Sequence, residues 1–139
     1  MNRIQQNDQI LEIDEILNSI PEFSHKTTTE EIQKRIEGKD HDFIIAHENN
    51  EPAGFLIAYN IDQKTYYNWL MGVLPEFRRK GFGRQLLEKF ESIAKEKGYS
   101  AVQVKTMVKF KAMQRLLEEM DYHEIGHDEE GKIILRKNV

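Results

Sequence analysis

The hydrophobic period alternates between helical and strand spacing along this 139-residue chain, and that alternation constrains the fold more than any other feature. Before Gly38 the apolar residues recur at helical spacing, as Ile10, Ile13, Leu17 and Ile20 show. Asn7 or Asp8 can cap this first helix, Pro21 ends it, and residues 2–5 before it can form a short strand. A second helix opens on Thr28-Thr29-Glu30-Glu31. This is a capping box, in which a Thr hydroxyl and the Glu31 carboxylate satisfy amides that lack an intrahelical acceptor; Gly38 supplies the stop. Residues 21–26 read as the loop between the two helices.

From Asp42 the period falls to two. Residues 42–48, 53–60 and 65–74 predict three strands of an antiparallel meander, the first pair joined through Asn49-Asn50-Glu51. The helical period returns at Phe82 and runs through Leu86, Leu87, Phe90, Ile93 and Ala94 to Gly98. A strand at 101–106 follows, then a helix carrying Phe110, Met113, Leu116, Leu117 and Met120, then short strands near 122–126 and 132–136. This order implies an α+β fold with helices covering a central sheet. No linker or internal repeat divides the sequence, so a single domain over 1–139 is expected.

Composition excludes several functions. Without Cys there is no disulfide, thiolate metal site or cysteine nucleophile. The apolar runs are far shorter than the roughly 20 residues that span a bilayer, so no membrane association is expected. Asp8, Glu12, Asp14 and Glu15 occupy a region where a leader peptide avoids acids, and a cytoplasmic protein is expected. A net charge of -4 argues against nucleic-acid partners.

The average conceals a local contrast. Arg78, Arg79, Lys80 and Arg84 place four positive charges within residues 78–84, where a predicted strand gives way to a predicted helix, leaving 16 basic against 24 acidic residues outside that stretch. Gly81 and Gly83 permit close backbone approach, and the first amides of the helix point into the loop with the positive end of its dipole behind them. Such a loop suits a phosphate or pyrophosphate. Gly-x-Gly by itself equally describes an ordinary helix start. Leu86 stands where a dinucleotide fingerprint needs a third small residue, and the Gly-Lys-Ser/Thr ending of a P-loop is missing.

Arg78-Arg79-Lys80-Gly81-Phe82-Gly83 does fit the acyl-CoA signature R/Q-x-x-G-x-G/A, with Val73-Leu74-Pro75 before it at the expected offset. Here the chain resembles the GNAT superfamily of N-acetyltransferases, as a small single-domain member of bacterial type. The resemblance covers nearly the whole chain and is firmest over 53–122. It implies a GNAT-type acyl-CoA N-acyltransferase fold: a mostly antiparallel twisted sheet, splayed at the cofactor cleft and flanked by about four helices. It also implies acetyl-CoA as cosubstrate, no metal, an amine acceptor, and a monomer or homodimer.

Carried over by the resemblance, the backbone of Met71, Gly72 and Val73 would pair with pantetheine as an added strand. The amides of Arg79, Lys80, Gly81, Phe82, Gly83 and Arg84, with Arg78 opening the motif, would cradle the pyrophosphate. The Val73 amide would face the oxyanion. Tyr67 stands where some relatives carry a carboxylate base, and alternation puts it on one face with Trp69. A neutral phenol is a poor base at pH 7, so a water relay or an already neutral amine would serve. Glu22 and Phe23, in the loop between the first two helices, would face the acceptor.

Two expected groups are missing. Where the family often has an Asn touching CoA and a Tyr protonating the departing thiolate, this chain has Phe110 and Leu117. A non-catalytic CoA-binding module that has lost the general acid is therefore an alternative, and an RNA- or phosphate-binding surface on the basic loop is a third. His123 and His127 lack a third ligand arranged with them and read as surface imidazoles.

Overall fold

The computed structural model describes residues 2–7, 10–20 and 27–139. The predicted meander forms as β2 (His41–Glu48), β3 (Glu51–Asn60) and β4 (Thr65–Val73). β1 (Asn2–Asn7) lies antiparallel along β2. Asn49 and Asn50 both have positive φ, 51° and 68°, and make a two-residue hairpin turn, so Glu51 belongs to β3 rather than to the turn.

Among the described residues four helices flank the sheet: α1 (Ile10–Asn18), α2 (Thr29–Ile36), α3 (Phe82–Glu96) and α4 (Lys111–Glu119). The capping box opens α2 as expected, with Thr28 Oγ1 accepting from the Glu31 amide at 3.1 Å. The loop expected to hold Glu22 and Phe23 lies outside the described residues. β5 (Ala101–Thr106), β6 (His123–His127) and β7 (Ile133–Asn138) complete a seven-stranded sheet of order β1-β2-β3-β4-β5-β7-β6. Among the described residues only β4 and β5 are parallel, because α3 crosses between them and returns the chain to the same end of the sheet.

The sheet has a core on each face. Ile44, Leu56, Tyr66 and Val102 pack with Leu86, Phe90 and Leu117 from α3 and α4. On the other face Phe43, Ile45, Phe55 and Ile57 pack with Ile13, Ile16 and Ile32 from α1 and α2. β3 is covered on both faces, which is why its sequence is apolar almost throughout instead of alternating.

One irregularity shapes the middle of the sheet. Ala58 pairs with Asn68 and Ile57 with Leu70, so Trp69 is the extra residue of a β-bulge in β4. Pairing of β4 with β5 runs from Thr65↔Ala101 to Asn68↔Val104 and stops there. A bulge bends its strand and increases the local twist, and here it falls one residue past the last rung shared with β5. From Trp69 onward β4 and β5 diverge.

The other end of the sheet is tied by an ionic cluster. Lys97 Nζ lies 2.7 Å from both Asp40 Oδ1 and Asp42 Oδ2. Tyr99 and Tyr66, stacked at 4.7 Å, donate their hydroxyls to Asp40 and Asp42. Burial opposes ionisation of Asp40, but the hydrogen bonds from Lys97 and Tyr99 outweigh it and lower its pKa. Its contribution to stability is therefore present above the unfolded carboxylate value and lost as pH falls through the folded one. We expect Lys97→Met, which leaves buried Asp42 without its cation, to cost about 1–3 kcal/mol in urea denaturation at pH 7. The difference from wild type should shrink below about pH 4, where the carboxylates protonate in the unfolded chain.

Candidate functional site

The divergence of β4 and β5 leaves backbone groups of β4 without a neighbouring strand. Leu74 N–H donates to Ala53 O of β3 at 2.9 Å, so by strand alternation Gly72 also points toward β3, whereas Met71 and Val73 point into the opening. A β-carbon at Gly54 would lie 2.7 Å from Gly72 O, so glycine is needed there for β3 to approach this closely. Of Met71, Gly72 and Val73, the outer two thus present backbone groups to the cleft. Val73 O already accepts from Arg78 Nε at 3.0 Å, which leaves its N–H as the outward group.

Beyond Val73 the chain makes a single 3-10 turn, Pro75–Phe77, then reverses through Arg79 (φ 64°) and Gly81 (φ 85°) into α3. Gly81 caps α3 with no side-chain bond, and Gln85 N donates to Gly81 O at 3.1 Å. The amides of Phe82, Gly83 and Arg84 precede that first bond and have no intrahelical acceptor. The first turn of α3 carries no acid. These features together suit an anion at the helix start.

The tertiary structure changes the charge of this loop. Lys80 Nζ sits 3.0 Å from Glu48 Oε2, and Arg84 lies 3.0 Å from Glu119 Oε2. Lys80 and Arg84 therefore have carboxylate partners contributed by β2 and α4, and Arg78 Nε is turned onto the strand. Arg79 has no charged partner among the described residues.

On the α3 and α4 side the cleft is narrow. A β-carbon at Gly83 would stand 3.3 Å from Leu116 Cδ2 and 3.6 Å from Met71 Cε. Met71 Sδ in turn receives Asn68 Nδ2 at 3.5 Å. Asn68 is 3% exposed, and its Oδ1 is buried with no hydrogen-bond partner. An unsatisfied amide oxygen is costly, and it sits at the last rung before the strands part. Asn68 is a residue to which sequence reasoning attached no role; one Asn in a strand gives no signal until the pairing that ends beside it is known.

On the α1 and α2 side, Tyr67 and Trp69 share one face as alternation predicts, together with Tyr59. Tyr67 is edge-on to Tyr59 at 5.5 Å and only 9% exposed. Burial chiefly, with the neighbouring Tyr59, pushes its phenol up to about 12, so at neutral pH it holds its proton. Arg35 of α2 lies over the Trp69 indole, its Cζ 4.7 Å from the ring centroid. Asp128, in the turn before β7, accepts backbone hydrogen bonds from Lys132 and Glu130 and lies 3.3 Å from Lys105; the Lys132 bond above all holds its pKa low.

Leu117 is fully buried in the core, and Phe110 caps α4 under the Lys109 ammonium, so neither position offers a polar group. Gln114 instead reaches back to Val108 O at 2.7 Å and closes the loop after β5. His123 and His127 are exposed on β6, and no group of three metal-ligating side chains occurs among the described residues.

The profile of the acetyltransferase (GNAT) family matches residues 10–122. The chain belongs to the GNAT family of acetyltransferases. Solved structures share its fold end to end. The ribosomal-protein-S18-alanine N-acetyltransferase of Escherichia coli superposes with a TM-score of 0.84 at 17% identity, covering 100% of this chain and 94% of that one. The PaiA N-acetyltransferase of Thermoplasma acidophilum, in complex with coenzyme A, gives 0.83 at 15% identity, covering 100% and 99%. A GNAT acetyltransferase of Elizabethkingia anophelis with acetyl-CoA bound gives 0.77 at 19%, covering 99% and 98%. At these identities the likeness is one of fold. No curated protein matches the sequence.

The cleft of this GNAT domain combines an open strand edge, a glycine where the helix start meets the cleft, and an orphaned amide oxygen at the apex. If Asn68 is held there for function, Asn68→Leu will remove an unsatisfied polar group and leave stability unchanged or raise it by about 1–2 kcal/mol. The same variant will weaken the stabilisation given by acetyl-CoA in a thermal melt. A loss of stability with acetyl-CoA binding intact would contradict the assignment.

Proposed function

We propose that this GNAT domain transfers an acetyl group from acetyl-CoA to a primary amine by direct attack on the thioester. The observation that carries the reading is the unpaired edge of β4, joined by one short reversing loop to the start of α3, whose first amides no side chain caps. Met71 and Val73 would pair with the pantetheine arm as a strand does, and the amides from Arg79 to Arg84 would receive the pyrophosphate. Arg79, which has no charged partner among the described residues, is a side chain well disposed to add to that anion site.

In the transfer the amine nitrogen bonds to the carbonyl carbon and the C–S bond breaks. The Val73 N–H would stabilise the oxyanion that forms between these events, an effect typically worth a few kcal/mol. Tyr67 is ill suited to act as base, because burial beside Tyr59 raises its phenol above an already high ordinary value and keeps it protonated at neutral pH. The ammonium proton leaves to water, or the amine binds already neutral. With Phe110 and Leu117 apolar, the thiolate leaves unassisted and takes its proton from solvent, which its thiol-like pKa permits.

The burial of Leu117 favours one second reading, a CoA-binding module without turnover. Incubation with acetyl-CoA and a panel of small amines and peptides separates the two. Release of free thiol that depends on both substrates supports transfer, whereas stabilisation by CoA without release leaves the binding module. Gly83→Trp should abolish the CoA-dependent rise in melting temperature, since the ring would occupy the cleft at the helix start. Tyr67→Phe should keep the pH profile and fall well short of the roughly 10²-fold loss that removing a general base produces.

A further inference from the structure

Arg35 is exposed on α2, yet it is held in one place. Its guanidinium lies over the Trp69 indole at 4.7 Å, and Nη1 donates to the Tyr59 hydroxyl at 3.2 Å. Trp69 is the bulge residue at which β4 leaves β5, so Arg35 stands beside the mouth of the splay on the side away from α3. Glu31 lies one turn before it, but no carboxylate pairs with Arg35 among the described residues. One of five N–H donors is used by Tyr59, and stacking on an indole leaves the edge of the fork open.

The other charges on this face do not offset it. Lys105, which alternation along β5 puts opposite Val104, is paired with Asp128. Asp128 is also occupied by the turn amides, and Tyr67 keeps its proton. The described groups around this mouth therefore present a cation with no anion assigned to it.

We propose that Arg35, clamped on Trp69, is a carboxylate-binding subsite for the acyl acceptor, so that the favoured acceptor is an amine carrying a carboxylate close to its amino group. This rests on the transferase reading for the side from which the acceptor enters: α3 and its anion site occupy one face, and a nucleophile reaches the thioester from the other. A planar, oriented guanidinium is the group that recognises a carboxylate through two parallel hydrogen bonds, and prior stacking lowers the ordering that binding requires.

Two matched pairs of probes test it: glycine against glycinamide, and Asp-Ala-amide against Asn-Ala-amide. The first varies a free α-carboxylate and the second a side-chain carboxylate on a peptide N-terminus, so the pair that responds identifies the source. In at least one pair the carboxylate member should have kcat/KM about tenfold or more above its neutral partner. Arg35→Gln should bring that ratio close to one, and Arg35→Lys should keep part of it. Trp69 is the only tryptophan, so the same titrations can be followed by its fluorescence without turnover. Equal kcat/KM within both pairs, or a preference that survives Arg35→Gln, overturns the subsite while leaving the transferase reading intact. With no transfer to any probe, a saturable, carboxylate-dependent fluorescence change lost in Arg35→Gln would uphold the subsite against the transferase reading, and its absence would overturn the subsite.

Discussion

From Trp69 to Val73, β4 has a strand on one side only, and the rest of the site depends on that missing neighbour. Backbone groups in the middle of a sheet are ordinarily paired, and leaving them unpaired in a dry interior is expensive. Here the bulge at Trp69 turns β4 away from β5, so outward groups of Met71 and Val73 border a cleft. A cosubstrate with amide groups of its own can restore the ladder. The half-buried state of this stretch, beside the fully buried Thr65–Asn68 portion, marks where the sheet stops being a core and becomes a site.

The parallel contact between β4 and β5 makes the arrangement possible. It requires a crossover, and the crossover is α3, whose N-terminus is thereby delivered to the same end of the sheet as the open edge. One topological choice places the strand edge and the helix amides in series. The far end is fastened by Asp40, Asp42, Lys97 and the stacked tyrosines, which bind the starts of β2 and β4 to the end of α3. The splay can open at one end because the other end is tied.

Much of this was legible in residue order. The change of period located the meander and the helices, the Thr28 capping box started α2 as read, and Gly81 and Gly83 fell at the junction of the loop after β4 with the first turn of α3. Departures were small and have local causes. Glu51 joined β3 because two asparagines in the left-handed region suffice for the turn. The four loop cations proved less isolated than their sequence neighbours implied, since Glu48 and Glu119 reach them from distant elements. Asn68 and Arg35 carried no sequence signal, for their importance lies in a rung that ends and a ring that lies beneath.

The sequence by itself determined the elements, their order and the chemical character of the loop. These follow from period, capping and local charge, each set by residues within a few positions of one another. Only the tertiary structure decided where β4 parts from β5, which backbone groups face the opening, and which loop cations meet carboxylates from distant elements. Those properties depend on register and on partners dozens of residues away, and no local rule encodes a pairing that stops.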